Sequence, residues 1–94
     1  MPLKLPERPH PRDLAPARND MLAVLAANPV LEIDAADVAQ LPLAWVQLLI
    51  SAAKSAKALH REITILNPSF AFLFAFEALG LKPESDLFTL EYTP

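Results

Sequence analysis

The sequence predicts a small α/β domain, a mixed sheet of about four strands with about three helices, built by residues 1–94 as a single domain. Three observations lead there. Leu41 to Asn67 reads as a long apolar helix running straight into a short β-branched run, Glu62-Ile63-Thr64-Ile65-Leu66. Strand-like and helix-like stretches alternate along the chain, the pattern of a sheet joined by helical crossovers. A chain of 94 residues also has room for one core and no more.

The elements follow in order. Residues 1–13 form a proline-rich arm; prolines at 2, 6, 9 and 11, with another at 16, forbid a helix and leave Leu3-Lys4-Leu5 as its one short strand. Leu14, Ala17, Met21, Leu22 and Leu25 then share one helical face, with Asp13 as candidate N-cap and Asn28-Pro29 as the stop. Val30 to Asp34 reads as a second strand and Ala35 to Leu41 as a loop. Pro42 suits the first position of the long helix, where its missing N–H has no partner to lose. Trp45, Leu49, Ala52, Ala56 and Leu59 make that helix's buried face, and Gln47, Ser51, Lys54 and Arg61 its wet one. His60 and Arg61 close its last turn, with positive charge against the carbonyl end of the dipole. Glu62 to Leu66, with a helix on each side, is expected to be an interior strand of a helix-covered sheet, and a parallel sheet is the first guess. Asn67 is expected to cap a third helix with Pro68 at its first position, running through FAFLFAFEAL to Gly80, a left-handed stop. Asp86 to Tyr92 alternates well enough for a last, edge strand.

Composition narrows function. A formal net charge of -3 argues against a sequence-independent grip on nucleic acid, which needs a concentrated positive surface. Without cysteine there is no disulfide framework, thiolate metal site or cysteine nucleophile, which fits a cytoplasmic protein. No apolar run approaches the ~20 residues of a membrane span, and MPLKLPERPHPRD lacks the apolar centre of a signal peptide, so a soluble, unprocessed chain is expected, with no direct membrane insertion. His10 and His60 have no neighbours at metal-ligand spacing and read as cap or solvent residues; no metal or cofactor is expected. Asp34 and Asp37 read as turn formers, and Lys54, Lys57 and Arg61 as a solvated basic strip. One glycine rules out a glycine-rich phosphate loop, and no nucleophile stands beside a base, so no enzyme is expected.

The third helix carries the strongest clue to function. Phe70, Phe72, Leu73, Phe74, Phe76 and Leu79 cannot all face one sheet: at ~100° per residue Phe72, Phe76 and Leu79 cluster, while Phe70, Phe74 and Glu77 fall on the far side and Leu73 at the margin. With Leu43 and Trp45 at the start of the long helix, Phe70, Leu73 and Phe74 make a candidate docking face for another protein or a second copy of the chain. The competing expectation is that Leu87, Phe88 and Leu90 fold back over these rings and make them core.

The run from Leu3 through Leu81 resembles a STAS domain, the module named after sulfate transporters and anti-sigma-factor antagonists. The resemblance rests on LEIDAADV (Leu31 to Val38), VQLLISAAKSAKALHREITILNPS (Val46 to Ser69) and EALGL (Glu77 to Leu81), in their order and spacing. It implies a STAS-like fold with Phe72, Phe76 and Leu79 turned inward, no enzymatic activity, and a bacterial signalling role as an anti-anti-sigma-like or chemotaxis-associated protein. The implied partner is a signalling kinase, an anti-sigma factor or a chemotaxis component. An alternative is an accessory subunit of a lipid-transport ABC complex. The best-known members of the family bind a serine kinase and are switched by phosphorylation of a Ser or Thr at the start of the long helix, in a pattern like Asp-Ser-Ser-Gly-Leu. Here Pro42 falls at that Asp, Leu43 at the phosphoacceptor and Trp45 at the glycine, and no hydroxyl lies between Ile33 and Ile50. A phosphate at a helix N-terminus gains backbone hydrogen bonds and dipole stabilisation. Leucine can accept none. Ser51 lies eight residues past Leu43, about 12 Å along the helix, too far to substitute. The expectation is a STAS domain held in one binding state; a switch through Ser51 or Ser69 is the variant of it.

Overall fold

The computed structural model describes residues 2–93, and the side chains of all of them except 85 and 86. Strands β1 (Leu3–Lys4), β2 (Val30–Asp34), β3 (Glu62–Leu66) and β4 (Thr89–Glu91) form one sheet in the order β1-β2-β3-β4, every pair parallel. Helices α1 (Leu14–Ala27), α2 (Leu43–Ala58) and α3 (Phe70–Glu77) are the crossovers. The expected α/β class and element count are therefore present, with the strands parallel throughout rather than of mixed sense.

Strand order equal to chain order has a geometric consequence. Each crossover steps the same way across the sheet, and right-handed crossovers of one direction place their helices on one face. α1 packs on α2, and α2 on α3. The sheet faces follow suit. Leu31, Ile33, Ile63 and Ile65 point at the helices and are buried, while Val30, Glu32, Glu62, Thr89 and Glu91 point away and are exposed. β3 is interior as expected, but helices cover only one side of it; the outer side carries the polar alternation that an uncovered face demands. Trp45, Phe72 and Phe76 are the largest fully buried side chains in the core between the layers.

Several local expectations shift for identifiable reasons. A 3₁₀ turn at Pro11–Asp13 precedes α1, capped by His10, whose Nδ1 accepts the Arg12 N–H at 3.0 Å; Asp13 makes no capping bond. Pro42 is the N-cap of α2 rather than its first residue. Leu59 is 53% exposed, because α2 ends one residue earlier and His60 turns left-handed at φ 56°, sending the Arg61 N–H back to Ala56 O at 2.7 Å. Asn67 does not cap α3: it is left-handed at φ 49°, and Ser69 caps instead. Gly80 stops the chain after α3 at φ 77°, as its position suggested, yet Leu79 is 51% exposed because α3 has already ended at Glu77. The last strand is shorter than Asp86 to Tyr92, since Pro83–Leu87 forms a wide turn closed by the Phe88 N–H on Pro83 O at 2.7 Å; β4 does lie at the sheet edge.

Candidate functional site

In a parallel sheet the loops leaving the carboxyl ends of the strands and the helix N-termini gather along one edge, although strand order equal to chain order leaves no point where the winding reverses to open a crevice. Here that edge is laced shut by its own polar groups. Asp34 Oδ1 accepts the Ala36 N–H at 3.0 Å, a turn-forming role. Asp37 pairs with Lys4 Nζ at 3.0 Å; its hydrogen bond, then its charge and that of Asp34, raise the Lys4 pKa above the ordinary lysine value. The Ala39 and Gln40 N–H groups donate to Glu7 O at 2.9 and 3.3 Å, fastening the proline-rich arm to the loop before α2. Ser69 Oγ donates to Val38 O at 2.6 Å and accepts the Phe72 N–H at 3.1 Å, joining that loop to the start of α3. Asn67 donates its N–H to Glu91 O at 2.6 Å, and its Oδ1 accepts the N–H and hydroxyl of Thr93 at 2.7 and 3.1 Å.

What this edge leaves open is hydrocarbon. Leu43, the first residue of α2, is 56% exposed, and Phe70, the first residue of α3, is 82% exposed. Phe74, one turn later, is 57% exposed and stacks on Phe70 with ring centroids 5.9 Å apart. Leu73 is half-buried and packs against the core. No side chain caps the start of α2, where the phosphoacceptor position of the resemblance falls on Leu43.

Trp45 must be removed from the docking face. It is 1% exposed, and its Nε1 donates to His10 O at 3.2 Å, so the indole is core closed over by the arm. Its place on the apolar face of α2 outweighs its nearness to the helix start. The C-terminal segment does not cover the outer rings either. Phe88 packs on Phe72 at 6.4 Å and edge-on to Phe76 at 5.6 Å, against the opposite face of α3. Ser69 and Asn67, which organise the edge, were missed as such; Asn and Ser cap about equally well and Pro68 suits a first helical position, so the local sequence favoured Asn67 over the Ser69 that caps α3.

Among the described residues no three His, Asp or Glu converge as a metal site, and no helix is long and apolar enough to cross a membrane. No family model, curated protein or solved structure matches this chain.

Proposed function

We propose that this chain is a non-enzymatic protein–protein interaction module, a STAS-like component of bacterial cytoplasmic signalling whose phosphoacceptor position is occupied by Leu43. It docks through Leu43, Phe70, Leu73 and Phe74 and keeps one binding state. The observation that carries the reading is the stacked, exposed pair Phe70 and Phe74. Taking ~200 Å² per phenylalanine, exposures of 82% and 57% leave roughly 280 Å² of ring surface open, worth about 7 kcal/mol on full burial. Association costs at least ~4 kcal/mol, so the rings anchor a partner without holding it alone, and Leu43 extends the contact. The variant reading of a displaced switch has less support, because the Ser69 hydroxyl is already engaged as both donor and acceptor.

The test immobilises the wild-type protein beside folded Phe74→Asp and Lys54→Gln variants, and identifies what each retains from a bacterial extract. A soluble signalling protein held by wild type and Lys54→Gln but lost by Phe74→Asp supports the reading. Equal retention by Phe74→Asp overturns the docking face, and retention of membrane-transport components instead moves the function to an accessory transporter subunit.

A further inference from the structure

We propose a second site, independent of the docking face and at the other end of α2: the cleft between the C-terminal half of α2 and the turn Pro83–Leu87, which binds a small organic anion carrying several negative charges. The cleft measures about 510 Å³, within the range of small-molecule sites. Its floor is apolar and buried, formed by Ala53, Ala56, Ile63 and Phe88. The two alanines make the space, since a larger side chain at either position would fill it.

The walls carry the charge. Lys54 and Lys57 stand one turn apart on α2, and the left-handed turn at His60 brings Arg61 to the same cleft. Among the described residues none of the three forms an ion pair. Nor are they needed to finish the helix: the N–H groups of Leu59, His60 and Arg61 already return to the carbonyls of Ser55, Ala56 and Lys57. Among the described residues two carboxylates also line the cleft. Glu62 is drawn aside by the Thr89 hydroxyl, which donates to its Oε1, and Glu84 stands on the turn. Three cations against two carboxylates discriminate weakly among single charges, because each exposed pair is worth little. An anion with two or more charges engages the cations together, and the apolar floor takes its carbon skeleton. Open to solvent, the site loses affinity as salt rises.

Backbone ¹⁵N NMR titration of the whole chain at low salt tests this, with citrate and inorganic pyrophosphate as probes. Saturable shifts confined to residues 53–63 and 84–89 are expected for at least one probe; stronger binding of citrate marks a polycarboxylate site, and of pyrophosphate a phosphate-ester site. Lys57→Gln and Arg61→Gln each weaken binding about two- to fivefold, while Arg18→Gln on α1 leaves it unchanged. The spectrum itself reports whether each variant is folded. Absence of saturation with both probes, shifts of equal size around Arg12 and Arg18, or unchanged affinity in folded Arg61→Gln overturns the proposal.

Discussion

Replacing Phe72 and Phe70 separately with alanine measures which face of α3 is core. Phe72 is fully buried, its ring 5.1 Å from Phe76 and 6.4 Å from Phe88. Removing it deletes a whole aromatic ring from a packed interior, a loss of about 3–5 kcal/mol including the cavity left behind. Small domains have total stabilities of ~5–15 kcal/mol, so this is a large fraction. Phe70 differs. At 82% exposure only about 36 Å² of a ~200 Å² side chain is covered, worth ~1 kcal/mol. Loss of its stacking on Phe74 adds ~0.5 kcal/mol, and the higher helix propensity of alanine returns about the same. Phe70→Ala therefore costs about 1 kcal/mol. At ~4–8 °C per kcal/mol, Phe72→Ala lowers Tm by at least ~12 °C and Phe70→Ala by at most ~8 °C. Urea unfolding followed by circular dichroism checks the same ordering in free energy, with an unchanged slope showing that the unfolded state is not altered. Equal losses for the two variants would mean that Phe70 is covered in solution, and the docking face would fall with it.

The same packing has other consequences. Ser69→Ala removes the α3 cap and the donor to Val38 O, lowering stability by about 1–2 kcal/mol, with faster hydrogen exchange at the Phe72 amide as the local signature. Trp45, the single tryptophan, is expected to fluoresce at short wavelength and resist acrylamide quenching; strong quenching would return it to the surface. The Lys4 pKa is raised by Asp37 and Asp34, so the pair's contribution is complete below the ordinary lysine pKa and disappears as pH rises through the raised value. NMR titration of the Lys4 side chain, in wild type and Asp37→Asn, reads this directly: the midpoint falls in the variant.

β2 was legible because Asn28-Pro29 stops α1 just before it, and β3 because a short β-branched run stands between two helical stretches. α2 was legible from its apolar stripe, and the division of α3 into two aromatic faces came directly from helical spacing. The turns were harder. His60 and Asn67 are left-handed without being glycine, and no local rule forces that conformation; it is imposed where α2 must return to the sheet and where Asn67 bonds Glu91 and Thr93. Exposure at helix ends was equally hidden, since Leu59 and Leu79 lie on the inward stripe but beyond the point where each helix stops. The cleft beside Lys54, Lys57 and Arg61 depends on the turn Pro83–Leu87 lying opposite, a tertiary relation with no sequence signature.

The one-sided winding also constrains how a partner can approach. Strand addition at an edge needs a run of unpaired backbone groups, yet β1 has two residues and β4 three, so both edges offer a poor template. The outer face of the sheet presents Glu32, Asp34, Glu62 and Glu91 around the buried Thr64, with Val30 and Leu66 among them, and those carboxylates would have to be desolvated before anything apolar could settle there. The helical layer differs, because its two neighbouring N-termini begin with Leu43 and Phe70, and the Ser69 hydroxyl, the Ala39 and Gln40 N–H groups and the Asn67 amide oxygen beside them are already bonded to Val38, Glu7 and Thr93. Contact there removes hydrocarbon from water without breaking an existing hydrogen bond. Under the proposed function, Leu43 at the start of α2 gives this surface no hydroxyl on which a phosphate switch could act, and control would rest on the amount of the protein and of its partner.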